Sequence, residues 1–99
     1  MNEIENRLHR LSPSQLRALL LLAKSEKGVI SSSSSSKAVG KEGKALGGVF
    51  SSLARQIINN EHLVIPWGKA EDGRGLRWKL NEKVISQAKL LTITKTLLT

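Results

Sequence analysis

The stretch Leu11–Gly28, LSPSQLRALLLLAKSEKG, reads as a helix that no single neighbour can cover. Ser12 suits the N-cap, Pro13 the first helical position, and Gln15 the closing partner of a capping box. Leu11 and Leu16 stand where a hydrophobic staple packs. Leu16, Leu19, Leu20 and Ala23 make one apolar stripe, and Leu21 and Leu22 widen it. A helix apolar on two sides has to be packed from two sides, so the remaining elements must be arranged around it. Lys24 and Lys27 suit its negative end, and Gly28 stops it.

The material for that arrangement is limited. With 99 residues the chain is expected to form one small domain, residues 1–99, with one modest core. Aromatic residues are only 3% of it, so Leu, Ile and Val must build the core. Cysteine is absent, which excludes disulfides and thiolate metal sites. The longest apolar run, Ala18–Ala23, is far too short to span a bilayer. No charged-apolar-small pattern opens the chain, so no signal peptide is expected. The location implied is intracellular: cytoplasmic and nucleoid-associated for a prokaryotic source.

The other elements follow from periodicity. Asn2 to Arg10 can form a short helix with Ile4, Leu8 and Leu11 on one face. Val29 and Ile30 are a very short strand at best. The six serines Ser31–Ser36 read either as a solvated linker or as the start of a helix. The second reading fits better, because Lys37, Ala38 and Val39 continue the segment before Gly40 stops it. A further helix is expected from Lys44 to Asn59, with Leu46, Val49, Phe50, Leu53 and Ile57 on its buried face. Leu63–Trp67 and Leu76–Leu80 alternate as strands around the loop Gly68–Gly75. The hairpin they form is expected to pair Leu63 with Leu80, Ile65 with Trp78, and Trp67 with Leu76, giving one apolar face and a second face carrying Arg77 and Lys79. Asn81 is expected to cap a last helix with Val84, Ile85, Ala88 and Leu91 on its inner face. Leu90, Ile93 and Leu97 then form a second stripe, suited to a homodimer contact through this C-terminal helix (residues 81–99).

Charge narrows the partners. Sixteen Lys and Arg against eight Asp and Glu give a formal net charge of +8, which favours polyanions. The basic residues gather at the turn before the Lys44 helix and on the hairpin. That helix also carries Gly47 and Gly48 in its interior, where each glycine costs about 1 kcal/mol relative to alanine. Such a cost points to a close approach, either by DNA or by a neighbouring helix.

The order of elements, together with VGKEGKALGGVFSSL, resembles the winged helix-turn-helix family over Ser12–Leu80. Gly40, Leu46 and Val49 match that family's spacing of turn glycine and core positions; where the family packs a small alanine, this chain has Ser36. GKAEDGRGLRWKL resembles the wing. The resemblance implies a small α+β winged helix-turn-helix: a three-helix core plus a two-stranded hairpin wing, residues 12–80, flanked by N- and C-terminal helices. It also implies sequence-specific duplex DNA binding, most simply as a transcriptional regulator. Lys44, Ser51, Ser52, Arg55 and Gln56 would then contact base edges, while Lys37, Lys41, Lys69, Arg74, Arg77 and Lys79 would mostly meet phosphate.

Two other readings use the same letters. Gly40–Gly43, GKEG, resembles the loop of KH RNA-binding domains, although Glu42 would set a carboxylate against phosphate. A winged helix can also serve as a protein-interaction module. GKEGKA is not a phosphate-binding P-loop: the spacing is short and Ala45 replaces Ser or Thr. His9 and His62 lack partner ligands, Glu71 and Asp72 read as turn residues, and no nucleophile–base set is present. No enzymatic activity, cofactor, metal ion, membrane contact or small-molecule substrate is expected.

Overall fold

The computed structural model describes residues 3–31, 36–41, 43–69 and 76–99. The chain is α+β, with five helices and a small antiparallel sheet among these residues. Helix α1 spans Glu3–His9 and α2 spans Pro13–Lys24. Strand β1 is Val29–Ser31, α3 is Ser36–Val39 and α4 is Gly43–Ala54. Strands β2 (Ile57–Ile58) and β3 (Glu61–His62) form a short hairpin of their own. Strands β4 (Val64–Lys69) and β5 (Leu76–Leu80) precede α5, Gln87–Leu98.

Helix α2 is the centre of the molecule. Its capping box is complete: Gln15 N donates to Ser12 Oγ at 3.2 Å, and Ser12 N donates to Gln15 Oε1 at 2.9 Å. Leu16, Ala18, Leu19, Leu22 and Ala23 are buried, and α3, α4 and α5 all pack on this helix, α5 most extensively. It ends at Lys24, earlier than Gly28, because Ser25 turns back: its backbone N–H and its hydroxyl both donate to the Leu22 carbonyl. Lys27 and Gly28 then reverse the chain with φ of 59° and 69°. Gly28 is buried, and a Cβ there would lie 3.5 Å from Gln87 Cδ and 3.6 Å from Leu80 Cβ.

The sheet order is β1-β5-β4, so the hairpin's second strand lies in the middle. The hairpin register is one residue away from the expected one: Val64 pairs with Leu80, Ile65 with Lys79 and Pro66 with Trp78. A shift before Lys69 then pairs Lys69 with Leu76. The cause lies at Leu63, which is buried in a bend before the strand, its N–H bonded to the Gln56 carbonyl at 2.9 Å. Strand β4 therefore starts at Val64 and its parity flips. Val64, Trp78 and Leu80 are buried against the helices, while Trp67 is 43% and Leu76 41% exposed.

Two further boundaries differ from those expected of the sequence. Helix α4 stops at Ala54 instead of Asn59, because the β-branched pair Ile57–Ile58 enters a two-residue turn at Asn59 and Asn60, whose φ are 53° and 67°. Ile57 is consequently 45% exposed, and Ile58 is buried in its place. The last helix starts at Gln87, not after Asn81. Asn81 Oδ1 accepts from Lys83 N within a tight turn, and Ser86 is the N-cap, its Oγ accepting from Lys89 N at 3.2 Å.

The core unites Leu8 of α1, the buried face of α2, Val39, Leu46, Phe50, Leu53, Leu63, Val64, Trp78, Leu80, Ile85 and Leu90. Phe50 and Trp78 stack with centroids 5.8 Å apart. Ala88 is exposed, whereas Leu90 is fully buried and Leu91, Ile93 and Leu97 pack against the core. Of the stripe expected to remain for a second copy, Leu90 is used within the chain, while Ile93 and Leu97 are half-buried. Of the Ser31–Ser36 run, residues 32–35 lie outside the described residues; β1 takes Ser31 and the helix ends at Val39 as anticipated.

Candidate nucleic-acid interface

Helix α4 divides cleanly. Leu46, Phe50 and Leu53 are buried, and Val49 and Ala54 are half-buried. On the opposite side Lys44, Ala45, Gly48 and Ser51 are exposed, and Arg55, in the turn that follows, continues the strip. The Arg55 N–H still donates to the Ser51 carbonyl at 3.2 Å, so it stays on the helical path. Lys44 and Arg55 thus stand about 16 Å apart along the axis. Between them lie Gly47, half-buried, and Gly48, exposed, neither of which contributes a side chain to the helix surface.

Those glycines are not explained by packing. Among the described residues, a Cβ on either one would meet no atom within 4 Å. Of the two close approaches expected of the glycines, none by a neighbouring helix is found among the described residues.

The residues assigned to base edges do not all stay on the strip. Ser52 is half-buried; its Oγ accepts from Gln15 Nε2 at 2.9 Å and donates to the Val49 carbonyl at 2.7 Å. It links α4 to α2 instead of facing outward. Gln56 lies beyond the helix and accepts from Arg7 Nη1 at 3.4 Å. Both pairings join residues far apart in sequence, and no local pattern announces them. Lys44, Ser51 and Arg55 remain.

The phosphate candidates also separate. Lys37 on α3 and Lys41 before α4 are exposed, as is Lys69 at the end of β4. The turn at Gly40 has a φ of 79°, which glycine adopts freely. Arg77 and Lys79 are half-buried on the outer side of the sheet. Arg74, Glu71 and Asp72 lie outside the described residues, as does Glu42 of the Gly40–Gly43 loop.

No protein-family model, curated protein or solved structure matches this chain. Its chemistry therefore rests on its own residues.

The exposed His62 is a structural residue, since its Nδ1 donates to the Ala54 carbonyl at 2.7 Å and closes the C-terminal end of α4. Among the described residues no group of three or more His, Cys, Asp or Glu could hold a metal ion. No helix among them is long and apolar enough to cross a membrane. What the α4 strip offers is two cations, a hydroxyl and two glycines on one helix face, with the exposed Lys41 just before its N-terminal end.

Proposed function

We propose that this chain is a winged-helix domain that binds duplex DNA, most simply as a transcriptional regulator, with α4 in the major groove and loop 68–75 as the wing. The observation that carries this reading is the α4 strip: Lys44, Ser51 and Arg55 exposed around two glycines at which a Cβ would meet no described atom within 4 Å. A major groove about 12 Å wide admits a helix, and a side-chain-free turn lets the rod sit deeper in it. Lys44 and Arg55 then reach base edges or the flanking strands, and Ser51 supplies a small donor. Lys37, Lys41 and Lys69 meet phosphate. The contact of β4 with α4 supports the same reading, since it puts the hairpin beside that helix.

The test is fluorescence anisotropy with a labelled duplex at several salt concentrations, using the full chain and the double charge reversal Lys44→Glu, Arg55→Glu. Duplex binding that collapses in the variant, with unfolding unchanged, upholds the reading. Duplex binding that ignores the reversal overturns it and leaves a protein-interaction role for the strip.

A further inference from the structure

The outer face of the three-stranded sheet is a second surface with its own chemistry. Pairing sets its membership: Lys79 lies between Val29 and Ile65, and Arg77 lies beside Ser31. Trp67, two residues beyond Ile65, falls on the same side, and Lys79 Nζ sits 4.1 Å from its ring centroid. Strands β1, β4 and β5 carry Lys69, Arg77 and Lys79 and no acidic residue. The chain has three aromatic residues. Phe50 and Trp78 are stacked in the core, and Trp67 alone is left 43% exposed under an ammonium group. The guanidinium of Arg77 lies close by, since a Cβ on Gly68 would be 3.5 Å from Nη2.

We propose that this face binds single-stranded nucleic acid, with an unpaired base stacked on Trp67 and the flanking phosphates on Arg77 and Lys79. The cations of these strands, with no carboxylate on the strands themselves, call for an anionic occupant. The indole calls for one with a planar face to offer. In a duplex those faces are stacked on one another; only an unpaired base presents one to a side chain held on a sheet. The resident ammonium does not block the site. An exposed cation–π contact is worth about a two- to fivefold preference. Stacking a base on an aromatic ring is worth about 5- to 150-fold. The base wins the ring, and the flexible Lys79 stem carries its charge to a phosphate. One displacement thus creates both contacts. The α4 strip takes no part, so this inference stands independently of the duplex reading.

The experiment is a titration of tryptophan emission and of anisotropy with a labelled oligothymidylate of about 12 nucleotides, within the usual range of single-strand site sizes. Heparin and anionic phospholipid vesicles are the comparison ligands. The oligonucleotide is expected to quench the emission of the native chain and leave that of Trp67→Phe unchanged, because Trp78 is buried in both. Trp67→Ala is expected to bind about tenfold more weakly, with Trp67→Phe within about threefold of native. Lys79→Met should lower the steepness of the salt dependence by about 0.7, one single-strand phosphate contact. In Lys44→Glu, Arg55→Glu the saturated quench should keep its amplitude even where duplex binding is lost, which separates this site from the α4 strip. Unchanged affinity in Trp67→Ala overturns the proposal. So does equal quenching by heparin, which would mean charge alone, or an emission shift with vesicles and none with the oligonucleotide, which would make the face a lipid contact.

Discussion

The side-chain amide of Gln87, the first residue of α5, donates to the backbone carbonyl of Ser25 at 2.8 Å and so fastens the start of the last helix to the end of α2. The same nitrogen lies 3.1 Å from the Leu22 carbonyl and 3.4 Å from that of Ala23. One side chain thereby serves carbonyls that α2 cannot satisfy within itself. Gln87→Ala is expected to cost about 1 kcal/mol in urea unfolding, the range for a lost hydrogen bond, since the Leu22 carbonyl keeps its bonds from Ser25 and the Ser25 carbonyl its bond from Gly28 N. Gln87→Glu keeps the length and sets acceptor against acceptor, so it should cost more than the alanine variant.

Gly47→Ala and Gly48→Ala should each raise stability, by about 0.5–1 kcal/mol, since a helical glycine is replaced where the new methyl meets no neighbour. The same variants should weaken duplex binding if the bare backbone is there for DNA. Thermal unfolding and anisotropy on one protein sample read both effects. Variants that are more stable and bind equally well would remove the glycines from the interface.

Duplex affinity should fall steeply with salt. Four to six neutralised phosphates correspond to a log–log slope of about −4 to −5. A slope near zero would show that the excess of basic residues is not what holds DNA.

Arg55→Ala and Lys69→Ala should differ in kind. Loss of Arg55 is expected to relax preference at one base position by about 1–3 kcal/mol. Loss of Lys69 should weaken specific and scrambled duplexes alike. Equal, sequence-blind losses would take α4 out of the base-reading role.

Covering of the α5 stripe bears on assembly. Leu90 is fully buried and Ile93 and Leu97 are half-buried against the core, so the surface that motivated a homodimer through α5 is reduced to the outer sides of Ile93 and Leu97. Sedimentation equilibrium at about 100 μM, far above the ~10⁻⁸ M of typical specific DNA affinities, tests the homodimer: a monomer there rules it out. The shallow groove of Glu5, His9, Thr92, Ile93, Thr96 and Leu97 is the part of the α5 surface that a second copy would meet. A chain ending at Ala88 should lose its cooperative unfolding transition, because Leu90 and Thr94 leave the core with it.

The parts of the fold legible in sequence are those that a local pattern decides. Ser12, Pro13 and Gln15 specify the start of α2 because both capping bonds lie within four residues. The end of α4 misleads because Ile57 continues the helical spacing of Phe50 and Leu53 while also opening a β-branched pair before Asn59–Asn60. Only the tight turn decides between the two, and that turn is a readable hairpin signal. The register of the large hairpin is hidden more deeply. Leu63, Ile65 and Trp67 alternate correctly, yet the bend at Leu63 shifts the strand by one residue and turns Trp67 outward. The same limit applies at the interface. Lys44 and Arg55 could be placed on a helix face from spacing alone, whereas the withdrawal of Ser52 depends on Gln15, 37 residues away.

The fastening of α2 by α5 also sets an order of events during synthesis. Ser25 and Gln87 are 62 residues apart, which at about 5–20 residues per second is roughly 3–12 s of translation. For that interval α2 has left the peptidyl-transferase centre, with its leucines in place and its most extensive partner still unmade. The capping box can hold the first turn of the nascent helix, but the wide apolar surface behind it stays open to any chaperone near the tunnel exit. Slowing translation between these two points should lengthen that exposure and lower the yield of folded protein, while leaving the stability of the finished molecule untouched.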